Sequence, residues 1–288
     1  MIQRRRLRTI HGLLLIGSLL LVFVLTGCGK SAATTNDKVA TQKTWTVATS
    51  GTLYPTSYHE SKGSALTGYD VAVVKAVAKG LHKQVKFKEM DVDGMLTAVN
   101  NGTVQMAAND FGISKQREKQ FALSTPYKYS FDSMIVRKDD DSGIHRFADL
   151  KGKKAAGEAG TNYQKLASQL GAKQVNYDNV SNDVYLRDVA NGRTDVILND
   201  YYLQSMALKA LPNLPLTIPK NLYFTTQDDK NGTGILMKKS NSKLQKEVNR
   251  EIKKLKADGT IAKLSKKFYG GQNVSKRPTV KTTYIKIK

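Results

Sequence analysis

The residues of this chain best suited to chemistry sit in one short stretch, Asn109-Asp110-Phe111-Gly112-Ile113-Ser114-Lys115-Gln116-Arg117. An apolar run, Val104 to Ala108, precedes it and reads as a buried strand. A strand that ends in small and polar residues and leads to a lone arginine has the layout of a grip for a small anion. Open α/β sheets bind ligands just beyond the carboxyl ends of their strands. An arginine placed there clamps a carboxylate with two parallel hydrogen bonds. The alternative is Arg117 on a plain surface loop, since exposed arginine is common.

A second stretch echoes the first. Leu96 to Asp110 reads LTAVNNGTVQMAAND, and Leu186 to Asp200 reads LRDVANGRTDVILND. They share Leu, Val, Asn, Gly and the closing Asn-Asp. Each reads as a helix, a stop at Asn-Gly, a strand, and a polar pair at the strand's end. Glycine accepts the left-handed conformation that ends a helix. Two such units point to two similar α/β lobes, each aiming a polar pair into a shared cleft. Helix-turn-strand units are common, so chance similarity stays open. A third candidate is Gly160-Thr161-Asn162, which opens a helix with Tyr163, Leu166, Ala167 and Leu170 on one face. Thr161 or Asn162 would cap that helix, and free amides at its start favour an anion.

The elements that must position these residues follow from periodicity. Trp45 to Thr49 reads as a first strand, followed by a loop carrying Tyr54 and Tyr58. Thr67-Gly68-Tyr69-Asp70 opens a helix with Val71, Val74, Val77 and Leu81 on its apolar face. Val85 to Glu89 is a strand, and Val92, Met95, Leu96 and Val99 mark the next helix. Tyr127 to Val136 is one long extended run. Lys153 to Gly157 and Val175 to Tyr177 are short strands, and Tyr201 to Leu211 is a helix. Gly232 to Met237 is a second extended run. Leu244, Val248, Ile252 and Leu255 form a long amphipathic helix, which Asp258-Gly259 breaks before another with Ile261, Leu264 and Phe268. Gly270-Gly271 ends the globular part, and residues 272–288 are a basic tail.

A chain of 288 residues is long enough for two lobes, each with its own core. Lys and Arg outnumber Asp and Glu by 46 to 24, a net charge of +22. That favours contact with anionic surfaces. The lysines are scattered at helix-face spacing, with no arginine block interleaved with aromatics, so a nucleic-acid partner is not expected. The single cysteine, Cys28, excludes an internal disulfide, and the four histidines lack ligand spacing. No metal and no cofactor are expected.

Residues 1–27 read as a targeting segment: Arg4, Arg5, Arg6 and Arg8, then a short apolar core from Leu13 to Leu25. That core is short for a membrane span, which needs roughly 20 apolar residues. Leu25-Thr26-Gly27-Cys28 resembles a bacterial lipobox. The resemblance implies cleavage before Cys28 and a diacylglyceryl anchor on it, with the rest of the chain on the extracellular face of the membrane. Two acyl chains hold a protein where one holds only marginally. An uncleaved anchor helix is the alternative. Residues 28–43 read as a flexible tether.

Several further pieces stand in a fixed order: Leu66-Thr67-Gly68-Tyr69-Asp70-Val71, Gly112-Ile113-Ser114-Lys115-Gln116-Arg117-Glu118, Phe121-Ala122-Leu123-Ser124-Thr125-Pro126-Tyr127, Asp149-Leu150-Lys151-Gly152-Lys153, Gly160-Thr161, and Asn191-Gly192-Arg193-Thr194-Asp195. The ordered set resembles the extracellular solute-binding proteins for polar amino acids that serve ABC importers, across about residues 44 to 271. Ala107-Ala108-Asn109-Asp110-Phe111-Gly112 looks most like the cystine-binding branch.

The resemblance implies a type II periplasmic-binding-protein fold, two α/β lobes joined by two crossing strands. Lobe 1 would be residues 44–131 and 234–271, and lobe 2 residues 132–233. It puts the carboxylate-binding arginine on Arg117, the ammonium-binding aspartate on Asp200, and the carboxylate-binding amides near Thr161 and Asn162. A buried zwitterion needs one fixed partner of each sign. Many relatives carry a hydroxyl where this chain has Gly112, so one ligand contact is missing there. Asp110 either adds a second contact to an ammonium or points to solvent. Tyr54, Tyr58 and Phe111 are candidates for the side-chain pocket, with a core or rim role as the alternative. The implied partners are an amino-acid ligand, an ABC permease and the membrane, the protein acting as a monomer and not as an enzyme. Two other readings stand beside it. One is a dehydratase of a small carboxylic acid on the same fold, for which Glu60, Glu158 and Asp110 are the acids available. The other is a basic surface adhesin.

Overall fold

The computed structural model describes residues 39–178, 180–227 and 232–288. The targeting segment, Cys28 and most of the expected tether lie outside them. The first lobe is built on a five-stranded sheet. Its strands are β1 (Thr44–Thr49), β4 (Gln84–Glu89), β5 (Met106–Ala107), β6 (Phe121–Leu123) and β13 (Leu236–Lys238), in the order β4-β1-β5-β13-β6. β1 runs parallel to β4 and β5, whereas β13 runs antiparallel to β5 and β6. A short hairpin, β2 (Thr52–Leu53) and β3 (Ser57–Tyr58), follows β1.

Helices α1 (Tyr69–Gly80) and α2 (Val92–Asn101) cover the sheet with α7 (Ser242–Ala257) and α8 (Thr260–Phe268). α1 buries Val73, Val74 and Val77 against Val248, Ile252 and Ile261. Its entry requires Gly68, at φ +125, where a Cβ would meet the Thr56 carbonyl oxygen at 2.3 Å. α2 starts on Asp91, whose carboxylate accepts the Gly94 amide at 2.6 Å, and stops on Gly102 in the left-handed region.

The second lobe repeats this logic. β7 (Asp132–Arg137) lies between β10 (Ile197–Asp200) and β12 (Phe224–Thr225), with β11 (Leu216–Thr217) also on β7. β8 (Lys154–Gly157) and β9 (Lys173–Asn176) pair in parallel, and an Ala155–Val196 bridge joins them to the approach of β10. β7 alternates: Met134 and Val136 face a core with Leu150, Leu166 and Phe224, and Ile135 faces one with Leu186, Val189 and Ile197. Three helices cover the sheet: α4 (Asn162–Gln169), α5 (Asn182–Ala190) and α6 (Tyr201–Ala210).

Two extended segments join the lobes. They pair at Lys128 and Thr233, where the Thr233 amide donates to the Lys128 carbonyl at 2.9 Å. This is the type II periplasmic-binding-protein arrangement of two α/β lobes and crossing strands. The stretch 272–288 is folded as well. It leaves α8 through Val274, which is buried in lobe 1, and ends in β14 (Thr283–Tyr284), parallel to β12 in lobe 2.

Candidate functional site

The two echoed units deliver their polar pairs to one place. β5 and β10 each follow a helix stopped near an Asn-Gly, and Asn109 and Asp110 just past β5, with Asn199 and Asp200 at the end of β10, line a cavity between the lobes. Its volume is about 120 Å³. A single water needs only about 10–15 Å³ on that scale, so a small solute fits. Arg117, Phe111, Gly112, Thr161 and Asn162 line it too. The lobes meet across the opening. Asn182 Nδ2 donates to the Tyr54 carbonyl at 3.5 Å, and Asp93 of α2 lies against Gly160.

Arg117 sits on α3 (Lys115–Gln120), which Ser114 caps by accepting the Arg117 amide at 3.0 Å. Its guanidinium lies over the Phe111 ring, 5.4 Å from the centroid, and donates to the Gly112 carbonyl. Both contacts aim the guanidinium at the cavity. Gly112 pairs with Thr233 on the second crossing segment, so the backbone itself forms this wall. Thr161 caps α4 by accepting the Gln164 amide, and the helix N-terminus, with its partial positive charge, faces the cavity.

Asp200 is not an open carboxylate. It caps α6 by accepting the Leu203 amide at 3.0 Å, and its other oxygen accepts Lys128 Nζ at 2.6 Å. Lys128 is fully buried and donates to both oxygens of Asp110, at 2.8 and 2.7 Å. Asp110 therefore faces neither solvent nor an open ligand site alone. It is held inward by Lys128, by the Thr233 hydroxyl at 2.9 Å, and by Asp70, which accepts its amide at 2.7 Å. Burial alone would push Lys128 down, but Asp110 and Asp200 outweigh it and hold Lys128 well above the usual lysine range. Burial pushes Asp200 up, and Lys128 opposes the shift. Burial and the charge on Asp110 raise Asp70 to about 7.

Tyr54 and Tyr58 do not line the cavity. They pack edge to face on each other, 4.8 Å between centroids, and Leu53 takes the cavity position of that loop. The residues that sequence reasoning missed are Lys128, Asp132 and Ile287. Lys128 carries no sequence signal that separates it from the other lysines. Asp132 begins β7, accepts the Tyr163 hydroxyl at 2.9 Å and lines the cavity. Glu158, named only as a spare acid, lines the cavity as well. Burial raises it to about 7, with Asp178, Asp91 and Asp93 adding like charge. Among the described residues no cluster of His, Cys, Asp and Glu could hold a metal ion.

The family described as bacterial extracellular solute-binding proteins, family 3, matches residues 45–271. The probable ABC transporter extracellular-binding protein YckB of Bacillus subtilis is 51% identical over 261 residues, covering 88% of this chain and 90% of its own. The crystal structure of YckB superposes with a TM-score of 0.68 at 52% identity, over 86% of this chain and 98% of that one. The L-cystine-binding protein TcyA of Bacillus subtilis is 34% identical over 237 residues, covering 80% of this chain and 82% of its own. A match across both lobes, to relatives covered over most of their own length, carries one conclusion: this chain belongs to the bacterial extracellular solute-binding proteins, family 3.

Proposed function

We propose that this chain is an extracellular receptor that closes two lobes on a polar amino acid and delivers it to the permease of an ABC importer. One observation carries the reading. Arg117 of lobe 1, with Asp200 and the α4 N-terminus of lobe 2, line the same cavity. Arg117 and the α4 amides take the ligand carboxylate, one from each lobe, so that the ligand itself favours closure. Asp110 and Asp200 share one lysine, which leaves one negative charge in the trio. That charge answers the ligand ammonium. Each carboxylate has roughly four acceptor sites, so both keep capacity after Lys128 has been served.

Asp132 adds acid to the cavity beyond what one ammonium needs, and Glu158, raised to about 7 by burial, gives up its proton to a second cation placed beside it. A ligand with a second cationic group balances them. Cystine has a second ammonium, and TcyA is an L-cystine-binding protein, so cystine is the ligand we favour. Arginine, with its guanidinium, is the competitor. The protein is held on the outer face of the membrane by lipid on Cys28 and works as a monomer.

Titration calorimetry of the full chain in detergent, with L-cystine, L-arginine, L-glutamine and L-histidine, tests this. One saturable site is expected, with cystine tightest. No heat from any of the four would count against the receptor. Labelling of the wild-type chain by radioactive palmitate, absent in Cys28→Ala, tests the anchor.

A further inference from the structure

The family match ends at residue 271, yet the stretch beyond it is tied to both lobes. Ser265 of α8 turns the chain: its hydroxyl donates to the Gln272 carbonyl at 2.8 Å and accepts the Val274 amide at 2.7 Å. Val274 is fully buried in the lobe 1 core, and its carbonyl accepts the amide of Tyr129, on the first crossing segment, at 2.7 Å. Arg277 then lies over the Tyr129 ring, 4.3 Å from the centroid. From there the chain enters lobe 2.

In lobe 2 the stretch is held as a strand. The Thr283 amide donates to the Tyr223 carbonyl at 3.0 Å and the Ile285 amide to the Thr225 carbonyl at 2.9 Å. Gln227 grips both backbone groups of Ile287: Nε2 donates to the Ile287 carbonyl and Oε1 accepts the Ile287 amide, each at 3.0 Å. Gln169 of α4 bonds the other ends of the same two peptide groups, with Nε2 on the Lys286 carbonyl at 2.9 Å and Oε1 accepting the Lys288 amide at 2.8 Å. These paired side-chain bonds set the depth and rotation of Ile287. It is 8% exposed, joins the lobe 2 core, and lines the ligand cavity.

We propose that residues 272–288 form a third connection between the lobes and that Ile287 is a specificity-determining wall of the ligand cavity. The second half rests on the amino-acid receptor reading. The connection runs through the hinge region at Tyr129, so opening and closing must carry it along. Ile287 is held by backbone and glutamine contacts rather than by the ligand, so it presents a preset apolar surface. That surface limits the length and polarity of the ligand side chain.

Two measurements on the full chain test the two halves separately. Hydrogen exchange of the peptide spanning 282–288 should be at least about a hundredfold slower than in the same sequence as a free peptide, without added ligand. Exchange at the free-peptide rate would overturn the connection. Calorimetry with L-cystine, L-arginine, L-glutamine and L-histidine should show Ile287→Ala weakening the tightest ligand by about tenfold and changing the affinity ratios among the four, because apolar pocket contacts discriminate on that scale. Ile287→Val should stay close to the wild type. Ratios unchanged in a folded Ile287→Ala chain would overturn the role of Ile287. If the unaltered chain binds none of the four, the receptor reading and the Ile287 half fall together, and slow exchange alone then upholds the connection.

Discussion

Lys128 is the residue on which the charge balance of the cavity turns. It is buried without exposure and bonded to Asp110 of lobe 1 and Asp200 of lobe 2. Lys128→Met leaves two buried carboxylates without their cation. We expect a loss of about 3–5 kcal/mol in urea unfolding. Adding Asp110→Asn and Asp200→Asn to that variant should restore most of it. Arg117→Ala should weaken ligand binding by about 2–5 kcal/mol, because a buried ligand carboxylate keeps only the α4 amides; calorimetry reads this directly. Glu158 holds its proton more tightly in the folded chain than in the unfolded one. Its contribution to stability is fully present below about pH 4.5, falls as pH rises, and is gone above about pH 7. Tyr185, Asp178, Asp91 and Asp93 all face it, and the three aspartates raise it further once ionised. The ligand-free Glu158→Gln chain should lose that part of the pH dependence in urea midpoints taken across this window.

At the scale of elements, the N-terminus of α4 does two jobs, presenting amides to the cavity and meeting α2 across the opening. Gly160, just before the cap, permits both. It sits at φ +73, and a Cβ there would lie 2.1 Å from Asp93 Oδ1. Gly160→Ala therefore strains the backbone by about 1–2 kcal/mol and sets a methyl wedge against the Asp93 carboxylate across the opening. We expect weaker ligand binding by calorimetry. Gly160→Ala combined with Asp93→Ala should regain the part due to the wedge and keep the part due to strain. Equal losses in both variants would rule out a steric contribution from Asp93.

For the whole molecule, the binding step is expected to be a hinge motion of two cores that are each complete. The lobes share the crossing segments at Lys128 and Thr233 and the stretch from Val274 to β14. The cavity exists only when they meet, so the ligand is expected to shift the population toward the closed form. Small-angle scattering should record a smaller radius of gyration on adding the tightest amino acid. At a free concentration a hundredfold above Kd, the same ligand should stabilise the chain by about 2.7 kcal/mol against unfolding. A radius unchanged at saturation would mean that the free chain is already closed.

The sequence by itself determined the main helices and strands and pointed to two α/β lobes. Apolar periodicity, capping residues and Asn-Gly stops are local signals, and burial of α1, α2 and α7 follows them. The echo that ends in Asp110 and Asp200 already placed two polar pairs at strand ends, and Arg117 stood out as the cation following the first. Only the tertiary structure decided what those carboxylates meet. Lys128 is 18 residues from Asp110 and 72 from Asp200, and among 46 basic residues nothing local distinguishes a buried one. The same holds for Tyr54 and Tyr58, which pack on each other outside the cavity lining, and for Ile287, one of several apolar residues in a basic stretch. Periodicity reports which face of an element is buried; which distant charge or side chain arrives there is set by how the chain crosses between lobes.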